Sequence, residues 1–254
     1  MGCQMGISVY SRVLRTLTFA FALAWFGPAA DLGAGTLLSP GAAVLIRKSA
    51  EPFGLPTAIL LEGGLRDKWL AVQRRLDDEL VQIALCDGDR DGCVSPSALK
   101  LLAIVDAAKG RDGRARLGEV NRAINLAVKA TSDLMQYGRI DVWSPPLAML
   151  ARGAGDCEDY AIAKFVALRL AGVPPEDIRI VVMHDTVHGE DHAVAAARLD
   201  GHWLTLDNRR MAMVVDTDVR SYRPTFVIDQ STVMRYADTP FLAAAALGSA
   251  AQAE

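Results

Sequence analysis

The chain lacks a strong charge. Its 27 Lys and Arg stand against 30 Asp and Glu, a formal net charge of −3, and no long basic run breaks the balance. Nucleic acid is therefore not an expected partner. No glycine pattern of the dinucleotide or P-loop kind occurs in the right context. Nor is there an apolar run near the N-terminus long enough for a confident membrane span, since Leu17 to Phe26 is short. What the chain does have is 51% hydrophobic residues over 254 positions, which suits one or two globular domains with a sizeable core.

That short apolar run has the layout of an export signal. Arg12 and Arg15 precede it, and small residues follow at Ala29, Ala30, Gly33 and Ala34. Residues 1–34 are read as a signal peptide, with an uncleaved N-terminal anchor as the alternative. No cysteine in the cleavage region marks a lipoprotein, and Cys3 would leave with the signal. Either reading places the rest of the chain outside the cytoplasm, in the periplasm. Residues 35–242 then form the folded domain, and the alanine-rich residues 243–254 a frayed or disordered tail.

An even count of cysteines is also missing from the mature part. The mature part holds three, Cys86, Cys93 and Cys157. In an oxidising compartment an odd number needs an explanation. Cys86 and Cys93 bracket a short polar loop and can pair, which leaves Cys157 as a free thiol. The bracketed residues Asp87, Asp89, Asp91 and Gly92 match the start of a calcium loop, but the position of its bidentate acid falls on Ala98. A solvated loop between helices is the better reading, with weak calcium binding as the lesser one.

Cys157 stands in Gly155-Asp156-Cys157-Glu158-Asp159-Tyr160. The residues after it have helical spacing, with Ala161, Phe165 and Leu168 on one face, until Gly172 and Pro174 stop the run. Cys157 therefore falls at a helix N-terminus with Asp156 as N-cap, where the helix dipole favours thiolate. A buried structural cysteine is an equal reading of this stretch alone. A free cysteine in an oxidising compartment tilts the balance to a nucleophile.

Upstream the chain reads as helices. Trp69, Val72, Leu76, Leu80 and Ile83 share a face, Ser95-Pro96 starts a second helix, and Val120, Ile124, Ala127 and Val128 mark a third. Trp143-Ser144-Pro145-Pro146 is a rigid turn. Downstream the period changes to that of strands: Ile178 to Met183, then His192 to Leu199 and His202 to Leu206 joined by Asp200-Gly201, a hairpin signal, and Phe226 to Ile228. Helices followed by an antiparallel sheet make an α+β fold. His192 and Asp207 lie at the open end of the hairpin and should be neighbours. Cys157, His192 and Asp207 thus supply a nucleophile, a base and an orienting carboxylate. His188 and His192 are four apart, but Gly189 and the strand context argue against a zinc site.

The string GAGDCEDYAIAKFVALRLAGVP, with VNRAIN and DVWSPPLAML before it and DHAVAA and LTLDN after it, resembles the bacterial transglutaminase-like cysteine proteinases, the LapG-type periplasmic proteases. The resemblance spans roughly Asn121 to Asn208. It implies a papain- and transglutaminase-like fold, with Cys157 as nucleophile, His192 as base and Asp207 as orienter. It also implies calcium, held by the acids around the cysteine, here Asp156, Glu158 and Asp159. Electrostatics agrees, because three carboxylates beside a thiol oppose thiolate formation unless a hard cation offsets them. The implied function is a periplasmic, calcium-dependent endopeptidase that cuts a large surface adhesin near its N-terminus and so controls biofilm attachment. An inner-membrane receptor for cyclic di-GMP is the implied regulator. Acyl transfer to an amine, and a non-catalytic calcium-binding module of the same fold, are the alternatives.

Overall fold

The computed structural model describes residues 49–237. The export signal and the alanine-rich tail read from the sequence lie outside the described residues. Among the described residues no helix is long and apolar enough to cross a membrane.

A short strand, β1 (Thr57–Ile59), leads into α1 (Gly64–Gly88), α2 (Pro96–Lys109) and α3 (Gly113–Ala127). Each helix obeys its sequence period. Leu65, Trp69, Val72, Leu76, Ile83 and Cys86 are the buried stripe of α1. Ser95 caps α2, its hydroxyl accepting from the Ala98 N–H at 3.3 Å. Cys86 and Cys93 are joined as a disulfide across the turn between α1 and α2. The acidic turn inside it is tied down by its own side chains: Arg90 pairs with Asp87 and Asp106, and Asp89 accepts from the Gly92 N–H.

Four small elements follow: β2 (Lys129–Ala130), α4 (Asp133–Tyr137), α5 (Pro146–Arg152) and β3 (Ala154–Gly155). The Trp143–Pro146 turn is rigid for two reasons. Its prolines restrict the backbone, and α1 clamps it from below. Arg75 donates to the Trp143 carbonyl at 2.9 Å, and the Glu79 carboxylate accepts from the Leu147 and Ala148 N–H groups at 2.7 and 3.0 Å. Glu79 is thereby an N-terminal anion for α5 supplied from another helix. Trp143 itself is buried, and its role is packing.

Helix α6 (Cys157–Leu170) is the centre of the molecule. Every residue from Cys157 to Leu168 is buried, as expected of a helix enclosed on all sides. It packs against α2, α3 and α5 on one side and against the sheet on the other. The sheet comprises β4 (Ile178–Asp185), β5 (Glu190–Leu199), β6 (His202–Leu206), β7 (Val214–Val215), β8 (Tyr222–Ile228) and β9 (Val233–Tyr236) together with β1. The order is β1-β9-β8-β4-β5-β6-β7, antiparallel throughout. Alternation divides it cleanly. Ile178, Ile180, Val182, Ala193, Ala195 and Ala197 join the core under α6. Val181, Met183, Val194 and Ala196 face the other way into a smaller apolar cluster with Trp203, Val227 and Tyr236. The Asp200-Gly201 hairpin forms as read, with positive φ at both residues and Leu199 opposite His202. The edge strands β1 and β7, and β9 beside β1, are short and carried no sequence signal strong enough to find them.

Candidate active site

Three pieces of chain meet at the N-terminus of α6. The first is α6 itself. Asp156 is its N-cap residue in extended conformation, and Cys157 is its first helical residue. The chain reaches that point through Gly153, whose φ of 70° closes α5 in the left-handed region that glycine tolerates. The second piece is the hairpin β5–β6. The third is the segment after β2.

The hairpin delivers the imidazole and its carboxylate. His192 lies two residues inside β5, and Asp207 follows the last residue of β6. Ala195 pairs with Leu206, so continuing the ladder sets Asp207 opposite Val194, and His192 is its diagonal neighbour on the same face. His192 Nε2 and Asp207 Oδ1 are 2.8 Å apart. The same oxygen accepts from the Arg209 N–H at 2.9 Å. Burial alone would raise the Asp207 pKa. The hydrogen bond and charge of His192, the Arg209 N–H and the Lys164 ammonium more than offset that and hold it low. His192 is fully buried, its ring stacks on Tyr222 with centroids 5.6 Å apart, and its Nδ1 has no hydrogen-bond partner. The backbone N–H of Ala193, the next residue, lies 3.3 Å from Cys157 Sγ. The structure therefore pairs His192 with Asp207 and sets Cys157 against the backbone of the next residue in β5, Ala193.

One expectation is corrected. Cys157 is disulfide-bonded and no cysteine among the described residues is free, so the odd-cysteine argument for an unpaired thiol does not hold here. Nucleophilic chemistry at Cys157 requires the reduced thiol.

The third piece adds a residue that sequence reasoning missed. β2 and β3 form a small parallel ladder, Lys129 with Ala154 and Ala130 with Gly155, extended by the Thr131 N–H donating to the Gly155 carbonyl at 2.9 Å. This ladder sets Asp133 beside Asp156. Asp133, Asp156 and Glu158 each offer a carboxylate oxygen within 4.8 Å of the others, and all three are buried. Asp133 has no spacing relation to the cysteine motif, and Ser132-Asp133 looks like an ordinary helix start, which it also is. Asp159, the third acid named from the sequence, points elsewhere with one oxygen: its Oδ1 accepts from the Ser144 N–H at 2.6 Å.

These acids suffer from one another. Burial and the neighbouring Asp133 push Asp156 up to about 7. Burial, then Asp156 and Asp159, drive Glu158 well above the carboxylate range, and burial and Asp156 do the same to Asp159. Lys68, paired with Asp141, also feels Glu158 and Asp133. Even so, Asp133 Oδ1, Asp156 Oδ1 and Asp159 Oδ2 are buried without a hydrogen-bond partner. Buried carboxylate oxygens without donors are costly. Hard, anionic oxygen donors of this kind fit a calcium ion, which takes oxygen ligands, carboxylates among them. Histidines offer no competing site: His184 pairs with Asp191 and His188 with Asp185, and among the described residues the acids above form the metal-competent group found.

A family model for the bacterial transglutaminase-like cysteine proteinases matches residues 82–237. The chain belongs to that family. As a member of a cysteine proteinase family it is a hydrolase by class. Among solved structures, LapG of Legionella pneumophila is similar at 20% identity, over 66% of this chain and 92% of that one, with a TM-score of 0.51. An EGTA-treated form of that protein gives 22% identity, 62% and 84% coverage and a TM-score of 0.52. A calcium-bound form gives 21%, 57% and 82%, with a TM-score of 0.49. At these identities the first two show the shared fold. No curated protein matches the chain.

The family's cysteine motif tolerates little crowding here. A Cβ on Gly155 would sit 2.9 Å from Met149 Cγ and 3.0 Å from Asp159 Cβ, both in buried residues. Gly155→Ala should cost about 1–3 kcal/mol of stability, the usual penalty for overpacking. Urea denaturation of the variant checks this, and an unchanged midpoint would show that the loop yields freely.

Proposed function

We propose that this chain is a calcium-dependent cysteine endopeptidase of the periplasm. The observation that carries the reading is the His192–Asp207 hydrogen bond of 2.8 Å beside the helix start of Cys157, with His192 Nδ1 left over on the other side of the ring. Asp207 holds Nε2 protonated and leaves Nδ1 as the base. Once reduced, the Cys157 thiol gives its proton to Nδ1, and the thiolate attacks a peptide carbonyl. The tetrahedral intermediate expels the amine, which takes the proton back from Nδ1. Water, deprotonated by the same nitrogen, then cleaves the thioester and restores the thiol.

Asp133, Asp156 and Glu158 would hold the calcium ion, with Asp159 adjacent. Its chemistry there is charge compensation, since Glu158 Oε2 lies 3.2 Å from Sγ and an uncompensated carboxylate opposes a thiolate. Family resemblance supplies the rest of the reading. The substrate is a large surface adhesin cut near its N-terminus, the consequence is release of attached cells from biofilm, and an inner-membrane cyclic di-GMP receptor restrains the protease. The N-terminal signal pattern supports export.

The test is cleavage of an N-terminal adhesin fragment from the same genome by the reduced protein, with a fluorescent amine present. Cut fragments without amine attached support the endopeptidase. Amine incorporated into the fragment would establish an acyl transferase instead, and neither product from a readily alkylated Cys157 would remove the adhesin as substrate.

A further inference from the structure

Lys164 is fully buried, and nothing in the reaction above uses it. A lysine without access to water is uncommon and costly unless its charge is matched. It sits on α6, seven residues after Cys157, so the two side chains lie on nearly the same face of the helix, two turns apart. That face meets the hairpin at two points. At the upper one, Cys157 Sγ lies 3.3 Å from the Ala193 N–H of β5. At the lower one, Lys164 Nζ donates to the Leu206 carbonyl of β6 at 3.1 Å. His192 directly precedes the first contact in the chain, and Asp207 directly follows the second. The helix of the nucleophile is thus bolted to each of the two strands that carry its partners.

The surroundings of the ammonium are otherwise sparse. The Tyr160 ring, one turn back on α6, has its centroid 5.7 Å from Nζ. Burial lowers the Lys164 pKa to about 7, and Asp207 is the charge that opposes the fall. The coupling runs both ways, since Lys164 is among the groups that hold Asp207 ionised.

We propose that Lys164 is a positioning residue, whose ammonium fixes the Leu206 carbonyl and so sets the Asp207 carboxylate against the helix that carries Cys157. This rests on the reading of Cys157, His192 and Asp207 as a triad. Lys164 touches no reacting atom; it acts through Asp207 and the end of β6. A side chain there for packing alone would be served as well by methionine, whereas an ammonium that fixes the Leu206 carbonyl and supports the Asp207 charge leaves both without that partner when it is removed.

The experiment compares the full chain, reduced, with Lys164→Met, Lys164→Arg and Asp207→Ala. Three quantities are read: thermal unfolding, the rate of Cys157 alkylation by iodoacetamide, and the downfield proton resonance of the His192 imidazole bonded to Asp207. Lys164→Met should still fold but unfold at a lower temperature, because the buried Leu206 carbonyl loses its donor. Its alkylation should be slower by about 10-fold or more, in line with small misplacements of reacting groups, and its imidazole resonance should shift or vanish into exchange. Lys164→Arg, which keeps the charge, should restore most of the rate. Wild-type alkylation and an unmoved resonance in Lys164→Met would overturn the proposal. So would a rate loss that merely follows a lower unfolding temperature and is not restored by arginine. Should Lys164→Met not fold, Lys164→Gln takes its place with the same expectations, and failure of both to fold overturns the positioning role in favour of a core role. Asp207→Ala separates this inference from the one beneath it. If that variant alkylates like the native chain, the triad reading fails. If it is impaired while Lys164→Met is not, only the role of Lys164 falls.

Discussion

Cys157→Ala should reduce cleavage of the adhesin fragment to background, a loss on the order of 10⁴-fold or more. Nucleophile removal in triad hydrolases costs this much because the covalent route disappears and only binding and electrostatic assistance remain. The measurement is single-turnover cleavage by reduced protein, with circular dichroism to show that the fold survives. Survival is expected, because Cys157 contributes little volume to a core that spans both faces of α6. A graded series sharpens the result. Asp207→Asn should retain more activity than Asp207→Ala, since an amide oxygen still accepts from His192 Nε2 and from the Arg209 N–H. Asp207→Ala leaves a buried imidazole N–H without its acceptor, which costs both orientation and stability. Persistent cleavage by Cys157→Ala would remove this cysteine from the chemistry and leave His192–Asp207 as a structural pair.

The second large effect is the response of stability to calcium and pH together. Without calcium, Asp156 holds its proton up to about 7, through burial and the Asp133 charge. Glu158 and Asp159 are shifted in the same direction, by burial first and then by neighbouring acids. An unfolded carboxyl group loses its proton near pH 4. Between those limits the folded state binds more protons than the unfolded one, so stability must fall as pH rises. Each tenfold difference in proton affinity is worth about 1.4 kcal/mol, so the chelated protein should lose stability steadily from about pH 4 to about pH 7. Calcium reverses the slope, because it binds the ionised carboxylates and releases their protons. At a hundredfold excess over its dissociation constant a ligand adds about 2.7 kcal/mol, about 5–10 °C in unfolding temperature for a domain of this size. Thermal unfolding with EGTA and with saturating calcium, across that pH range, tests both parts. Identical curves in EGTA and calcium would sink the metal site. A flat pH response in EGTA would show that the acids are not forced together as drawn.

The acid cluster also explains why part of the site could be read from the chain and part could not. Asp156 and Glu158 flank the cysteine in sequence, and a helix start brings such neighbours to one point by local geometry alone. The hairpin was equally local: Asp200-Gly201 forces the turn, and the turn sets His192 near Asp207. Both inferences depend on contacts a few residues long or on a register that a tight turn determines.

By itself, then, the chain specified its helices, its central hairpin, the Cys86–Cys93 pairing, the order of Cys157, His192 and Asp207, and its family. Each of these follows from short-range periodicity, turn chemistry or a contiguous motif. Tertiary structure alone decided three other matters. It brought Asp133 to Asp156 through the β2–β3 ladder, turned one Asp159 oxygen to the Ser144 N–H, and enclosed Lys164 between α6 and the end of β6. The reason is common to all three. An aspartate at a helix start and a lysine on a helix are, by sequence, ordinary solvated residues. Only the packing of distant segments removes the water around them, and the loss of that water gives their charges a partner to need.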